Sequence, residues 1–236
     1  MKPVEIKICG ITTPEHVLAA AGCGADMIGL VFAPSRRQVT PEVAAHICSV
    51  LRRAALPTLA VGVFVNEPAA RITELTRAVG LDMVQLSGDE PPECVAECAA
   101  HYPVIKAVRF DADTSTEEAL AMAERYASCV YAAVYAARLR LLVDAHRPGR
   151  YGGTGQLADW SMAAYLARRY PVMLAGGLNP ANVAGAIRAV GPLGVDVSSG
   201  VERQGVKDPA LIEEFVRAAR SAMPGPPATP ERYAVP

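Results

Sequence analysis

Short runs of valine, isoleucine and leucine recur along the chain, and each is followed by a longer, alanine-rich segment with the apolar spacing of a helix. Eight of these runs are predicted to be strands: 4–9, 26–32, 58–65, 82–87, 104–110, 139–144, 172–176 and 194–198. Strand and helix therefore alternate eight times, which is typical of a parallel sheet whose crossovers are helices.

Four of the predicted helices open with a capping residue followed by proline, at Thr13-Pro14, Thr40-Pro41, Asn179-Pro180 and Asp208-Pro209. A side-chain oxygen at the N-cap accepts a hydrogen bond from a free backbone amide. Proline at the next position lacks the donor that would otherwise be unpaired. These four positions are therefore predicted helix starts.

Eight strand–helix units most simply close as a single-domain (β/α)8 barrel. An open, doubly wound sheet is the alternative, but its dinucleotide signature GxGxxG is absent after the first strand. The barrel is predicted to span residues 1–223, and the proline-rich segment 224–236 is predicted to be a loose tail. Within 125–142 the boundary between helix and strand is not fixed by the pattern.

Composition and charge argue against a nucleic-acid partner, a membrane span and secretion. The 236 residues carry a formal net charge of −1 and no basic block, which argues against a nucleic-acid partner. No apolar run reaches the roughly 18 residues of a membrane span, and no secretory signal is evident. The six cysteines are scattered without CxxC pairs, so we expect reduced thiols and a cytoplasmic location.

Polar residues at strand ends are the candidate active-site groups, because barrel enzymes use the C-terminal ends of their strands. In the first strand the alternation of apolar residues directs Lys7 and Cys9 into the barrel. In the sixth strand the same alternation leaves Asp144 on the inner face. A thiol and a carboxylate at one mouth are a candidate acid/base pair, although a buried cysteine is more often structural.

Further polar groups lie at or after other strands. Gln85 and Arg109 end the fourth and fifth strands and are candidate substrate contacts. After the second strand, the adjacent arginines of "APSRRQVT" either clamp a substrate carboxylate, for which Arg37 is the candidate, or form a solvated surface pair. After the sixth strand, the "GGTG" run containing Gly153 suits a loop that closes over a ligand, or a long exposed turn.

Glycine-rich loops follow the seventh and eighth strands, where such barrels often bind phosphate through backbone N–H groups. The candidate phosphate-binding residues are Gly176, Gly177, Asp196, Ser198, Ser199 and Gly200. The expected ligand is a small phosphorylated molecule. No P-loop lysine follows a glycine-rich loop, and the four histidines lack metal-ligand spacing, so we expect neither a cofactor nor a metal.

The motifs, taken in chain order, closely resemble those of the phosphoribosylanthranilate isomerase family. They are "KICGIT", "GLVFAPSRRQVT", "VGVFVN", "VQLSGDE", "LLVDA", "GGTGQLADW", "LAGGLNPANV" and "GVDVSSGVE…GVKD". The resemblance implies a cofactor-free Amadori rearrangement in tryptophan synthesis, converting N-(5-phosphoribosyl)anthranilate to 1-(2-carboxyphenylamino)-1-deoxyribulose 5-phosphate.

The same resemblance implies that Asp144 is the general acid, that Cys9 is the general base and that Arg37 holds the anthranilate carboxylate. From the residues themselves, Lys7 is expected to lower the pKa of the Cys9 thiol, as a nearby cation does. Two positions depart from the family pattern: Ser87 replaces a common histidine, and Ala158 replaces a common phenylalanine. A silent phosphate-binding barrel and another sugar-phosphate isomerase of this fold are the alternatives, and a monomer or a homodimer is expected.

Overall fold

In the computed structural model, eight parallel strands pair in chain order, and the eighth pairs with the first to close a barrel. Residues 3–110, 114–132, 139–144 and 160–222 are described. The strands are β1 (Glu5–Cys9), β2 (Met27–Val31), β3 (Leu59–Phe64), β4 (Met83–Leu86), β5 (Val104–Val108), β6 (Leu139–Asp144), β7 (Val172–Ala175) and β8 (Gly194–Val197). The predicted (β/α)8 barrel is confirmed, and each strand lies within its predicted run.

A helix follows each strand. The helices are α1 (Pro14–Gly22), α2 (Pro41–Arg53), α3 (Ala69–Val79), α4 (Pro92–His101), α5 (Thr116–Ala132), α6 (Ser161–Ala167), α7 (Val183–Val190) and α8 (Pro209–Ser221). Three predicted starts are confirmed, because the side chains of Thr13, Thr40 and Asp208 each accept a hydrogen bond from a backbone N–H of the first turn.

The fourth predicted start, Asn179-Pro180, is wrong by one turn. The Asn179 Oδ1 atom accepts hydrogen bonds from the backbone N–H groups of Ala181 and Asn182. These bonds shape a turn, and α7 begins only at Val183. Asparagine makes both kinds of local bond, so a cap before a helix and a turn look alike in sequence.

Two hydrophobic layers stabilise the barrel. Ile6, Ile8 and their equivalents on other strands pack outward against the helices in the larger layer. Inside the barrel a smaller cluster is formed by Met27, Val61, Met83, Ile105, Leu142, Met173 and Ala175. Below it, at the N-terminal end, the guanidinium of Arg140 donates two hydrogen bonds to the Glu5 carboxylate, at 2.8 and 3.0 Å. The interior formed by the described strands is therefore filled, and the cavity for chemistry is expected at their C-terminal ends.

A fully buried ion pair braces the loop after β4. The Lys106 Nζ atom lies 2.8 Å from Glu90 Oε2, and both side chains are 1% exposed. Lys106 also donates to the carbonyl of Gly88 at 2.7 Å, and Glu90 accepts from the Gly88 N–H. Burial alone would raise the pKa of Glu90, but the hydrogen bonds from Lys106 and from backbone amides lower it. The brace fixes the path of residues 87–90.

After β8 the chain makes a short hairpin before α8. A 3-10 turn (Ser199–Val201) leads into β9 (Glu202–Arg203), which pairs antiparallel with β10 (Val206–Lys207). Gln204 and Gly205 have φ of 51° and 84°, as the two central residues of a tight hairpin require. The register places Lys207 directly opposite Glu202.

Some predictions concern residues outside the described ranges. These include the tail at 224–236 and, within the doubtful stretch 125–142, residues 133–138 between α5 and β6. The division into a barrel of 1–223 and a tail therefore stays a prediction. No helix among the described residues is long and apolar enough to cross a membrane.

We predict that Lys106→Met destabilises the fold strongly, because it leaves the Glu90 carboxylate buried without its cation. The expected loss of unfolding free energy is about 3–5 kcal/mol, measured by urea denaturation. The matched control is Arg71→Ala, which breaks an exposed pair with Glu74 and is expected to cost less than about 1 kcal/mol. Equal losses in the two variants would contradict the assignment of Lys106 as a brace.

Candidate active site

Lys7 and Cys9 both point into the barrel from β1, as the alternation predicted. A Cβ atom placed on Gly29, which pairs with Cys9 across β1 and β2, would lie 2.8 Å from Cys9 Sγ and 3.1 Å from Lys7 Nζ. Both reactive atoms therefore occupy the space that a side chain at position 29 would fill. Glycine is needed there because any larger residue would push the thiol or the ammonium aside.

The ammonium of Lys7 is fully buried and is neutralised by Asp196. Lys7 Nζ lies 2.9 Å from Asp196 Oδ1 across the β1–β8 seam. Burial lowers the pKa of Lys7, but the charges of Asp196 and Cys9 and the hydrogen bonds to both together outweigh this effect, so the pKa is raised and Lys7 stays charged. Asp196 was predicted to contact phosphate. The observed contact makes it the counter-ion of Lys7, and its contact with phosphate stays a prediction.

The Cys9 thiol is 8% exposed, and burial raises its pKa above the ordinary value. The charges and hydrogen bond of Lys7 act in the opposite direction, and Lys207 adds a smaller lowering effect. The expected lowering by Lys7 is thus present, but it does not outweigh the effect of burial. The cation is present, but the cost of ionising sulfur in a buried site is larger.

A cavity of about 390 Å³ lies at the C-terminal mouth of the barrel. Its walls come from the ends of β4 to β8 and include most of the predicted site residues: Gln85, Arg109, Asp144, Gly176, Gly177, Asp196, Ser198, Ser199 and Gly200. Asp144 ends β6 on the inner side, beside Leu142 of the interior cluster and opposite the outward Val143. The structure therefore gathers these residues around one opening.

Gln85 places a hydrogen-bond acceptor in the wall of this cavity. Its Nε2 atom donates to Ser87 Oγ at 3.0 Å, and its buried Oε1 atom has no partner among the described residues. Ser87 also accepts a hydrogen bond from Arg109 Nη2 at its carbonyl, at 2.8 Å. Ser87, the departure from the family pattern, thus links the two predicted substrate contacts, and a ligand hydroxyl is a suitable donor to Gln85.

The loops after β7 and β8 approach each other closely. Gly176 and Gly177 have φ of 91° and 65°, a region that favours glycine. A Cβ atom on Gly200 would come within 1.8 Å of the Leu178 carbonyl oxygen. Only glycine allows this contact, which sets the two loops side by side at the cavity wall. Backbone N–H groups in such loops can bind a phosphate.

Arg37 crosses over the turn that follows Cys9. Its side chain packs against Gly10, where an added Cβ would lie 2.3 Å from Arg37 Cδ. The Nε and Nη2 atoms donate to Glu202 Oε1 and Oε2, at 2.6 and 2.9 Å. Of the two alternatives for this arginine pair, a purely solvated surface pair is wrong, because one edge of Arg37 is engaged by a buried carboxylate.

Sequence reasoning missed Glu202 and Lys207 as individual site residues. Lys207 Nζ donates to Glu202 Oε1 and to the Ser198 carbonyl, both at 2.8 Å, and Ser198 Oγ donates to the Cys9 carbonyl at 3.1 Å. The signal was available, since both residues lie in the motif "GVE…GVKD".

Gly153 and the rest of the GGTG loop lie outside the described residues, so that assignment stays a prediction. Across the part of the chain that is described, no group of three or more histidine, cysteine, aspartate or glutamate side chains is arranged to hold a metal ion. The site as described consists of a thiol, carboxylates, cations and backbone amides. These groups are suited to acid/base chemistry on an anionic ligand.

Comparison with known proteins identifies the relatives of this chain. The family model described as N-(5'-phosphoribosyl)anthranilate (PRA) isomerase matches residues 6–218. The N-(5'-phosphoribosyl)anthranilate isomerase of Roseiflexus sp. (strain RS-1) is 52% identical over 223 residues, covering 93% of this chain and 99% of the relative.

Two solved structures are also similar. Monomers generated from the dimeric phosphoribosylanthranilate isomerase of Thermotoga maritima give a TM-score of 0.74 at 36% identity, covering 92% of this chain and 99% of that one. A phosphoribosylanthranilate isomerase in complex with reduced 1-(o-carboxyphenylamino)-1-deoxyribulose 5-phosphate gives 0.73 at 38% identity, covering 92% and 98%.

We predict that Lys7→Gln raises the pH at which the Cys9 thiol becomes reactive. The substitution removes the cation that favours the thiolate and leaves the charge of Asp196, which disfavours it, so both effects act upward. The measurement is the rate of alkylation by iodoacetamide at each pH, located by mass spectrometry. Cys23 in α1 is the internal control. A midpoint that stays constant or falls at Cys9 would contradict the electrostatic coupling.

Proposed function

The chain belongs to the N-(5'-phosphoribosyl)anthranilate isomerase family, and from this we propose how its residues carry out the family's reaction. The activity is that of an aldose–ketose isomerase, an Amadori rearrangement of N-(5-phosphoribosyl)anthranilate in tryptophan synthesis. One observation supports the assignment of roles above all others: the closed barrel brings the ends of β1 and β6, with Cys9 and Asp144, to the same mouth as the glycine loops of β7 and β8.

Asp144 acts as the general acid in this proposal. Its carboxylic acid gives a proton to the furanose ring oxygen, the bond between that oxygen and C1′ breaks, and the nitrogen lone pair forms a protonated Schiff base. The ring is thereby opened. Asp144 is suited to this step because it lines the cavity at the end of a rigid strand, where its carboxyl group can be held beside the reacting oxygen.

Cys9 acts as the general base. Its thiolate removes the proton from C2′, the electron pair forms the C1′–C2′ double bond, and the positive nitrogen is neutralised to give an enolamine that tautomerises to the ketone. The raised pKa of the buried thiol means that the thiolate is the minor form at neutral pH. Once formed it is a strong base, and Lys7 with its fixed charge stabilises it.

The two anionic ends of the substrate are proposed to bind on neighbouring loops. The phosphate binds the backbone N–H groups around Gly177 and Gly200, with the hydroxyl of Ser199 as a further donor. The anthranilate carboxylate binds Arg37, whose guanidinium has donors beyond the two used by Glu202. Gln85 Oε1 accepts from a sugar hydroxyl, and Arg109 and Gly153 are further substrate contacts.

Assembly and location stay proposals. A monomer or a homodimer is proposed, and the similar Thermotoga maritima protein is described as dimeric. A cytoplasmic location is proposed on the six free cysteines, none of which forms a disulfide.

We predict that Cys9→Ala and Asp144→Asn each reduce turnover by a factor of about 10²–10⁴. Each removes one proton-transfer group, while the loops that bind the substrate's anionic ends are unchanged. Turnover is followed as the loss of substrate fluorescence. Affinity for reduced 1-(o-carboxyphenylamino)-1-deoxyribulose 5-phosphate is expected to stay close to that of the wild type. Near-normal turnover in either variant would contradict the catalytic role assigned to the substituted residue. Cys23→Ala is the control for loss of a thiol elsewhere.

We further predict that Gly200→Ala weakens binding of the phosphate end. The methyl group would collide with the Leu178 carbonyl, so the loops after β7 and β8 must separate. The measurement is the inhibition constant of inorganic phosphate, which should rise. Gly22→Ala, at the end of α1 with open space around its Cβ, is the matched control, and a similar change in both variants would remove the reason for placing phosphate at Gly200.

A further inference from the structure

Three cations converge on the Glu202 carboxylate beside the candidate site. Besides the two bonds from Arg37, Glu202 Oε2 accepts from Arg36 Nη2 at 2.7 Å, and Oε1 accepts from Lys207 Nζ at 2.8 Å. The Glu202 side chain is only 4% exposed. Burial by itself would raise the pKa of Glu202, but the hydrogen bonds from Arg37 and Lys207 lower it to about 2, so it is an anion at any working pH.

The hairpin β9–β10 builds this arrangement. Its register sets Lys207 opposite Glu202. At its tip, Gly205 makes room for Arg36, since an added Cβ there would lie 2.7 Å from Arg36 Nη1. The hairpin thus carries the carboxylate and one cation, while the loop after β2 delivers the two arginines. Three cations around one carboxylate leave an excess of positive charge, which favours a second anion.

The geometry of Arg37 shows where that second anion can bind. A guanidinium has five N–H donors arranged along two edges. Glu202 occupies the edge formed by Nε and Nη2. The other edge, formed by Nη1 and the second hydrogen of Nη2, is the one on which a substrate carboxylate can make a paired contact.

We propose that Glu202 is a positioning residue for substrate recognition: it holds Arg37 by one edge so that the opposite edge receives the carboxylate of the anthranilate ring. This inference rests on the proposed function, because it takes the carboxylate end of the substrate as the ligand of Arg37. It extends that function by assigning the selectivity for a ring carboxylate to the pair Arg37–Glu202, presented by the β9–β10 hairpin.

The alternative role for Glu202 is competition with the substrate carboxylate for Arg37, and it predicts the opposite effect on binding. If the substrate carboxylate displaced Glu202 from Arg37, then Glu202 would compete with the substrate, and removing its charge would tighten binding. If Glu202 positions Arg37, removing its charge weakens binding. The geometry argues for positioning, because displacement would break both hydrogen bonds from Arg37 to a buried carboxylate that Arg36 and Lys207 also hold in place.

The test compares two probes by calorimetry: reduced 1-(o-carboxyphenylamino)-1-deoxyribulose 5-phosphate and the same compound without its ring carboxyl group. Glu202→Gln is expected to weaken binding of the carboxylated probe about tenfold, as for the loss of a charge-assisted contact, and to leave the other probe unchanged. In an Arg37→Ala background, Glu202→Gln should have no further effect on either probe, because its influence passes through Arg37.

Each other result overturns the proposal. Tighter binding of the carboxylated probe in Glu202→Gln would show competition, and an equal loss for both probes would show a merely structural role. If Glu202→Gln does not fold, Glu202→Asp retains the charge but shortens the reach to Arg37, and the same selective loss is expected. Glu5→Gln, which breaks the Arg140 pair at the other end of the barrel, is the matched control. Failure of the wild-type protein to bind either probe would instead refute the proposed function.

Discussion

The closed barrel depends on an ion pair between Lys7 and Asp196, which forms where the last strand, β8, pairs with the first, β1. Lys7 is inaccessible to solvent, and an isolated charge there would be several kcal/mol too costly to keep. Asp196, separated by 189 residues in sequence, meets it at 2.9 Å because β8 pairs with β1. This ion pair forms only if the barrel closes, since an open sheet would separate β1 from β8.

The same contact sets the electrostatics of the site. Lys7 must remain charged to match Asp196, so a fixed positive charge lies next to the Cys9 thiol. Gly29 permits this proximity by leaving the space free of a side chain. Burial and charge then act on the thiol in opposite directions. The result is a thiol that is costly to ionise but close to a stabilising cation. Asp144 and the loops after β7 and β8 line the cavity at the same end of the barrel.

The direction of strand side chains and the starts of several helices could be predicted from the sequence, because they depend on neighbouring residues. Alternation along β1 and β6 correctly directed Cys9 and Asp144 inward, and proline-marked caps located α1, α2 and α8. Long-range pairing could not be predicted: the partners Lys106 and Glu90, and Glu202 with Arg37, meet only after folding. The direction of the Cys9 pKa was also beyond reach, since it depends on how completely the thiol is buried.

Under the proposed function, the hydrogen bonds between the loops explain how the protein can hold both ends of a substrate whose sugar ring opens. Lys207 binds Glu202, which holds Arg37, and it also binds the Ser198 carbonyl in the loop proposed for phosphate. The two proposed anion sites therefore share one hydrogen-bonded connection, which favours a constant separation while the sugar ring opens in the proposed reaction. Binding energy at the ends is then available to orient the reacting atoms toward Cys9 and Asp144, where precise placement lowers the barrier most effectively.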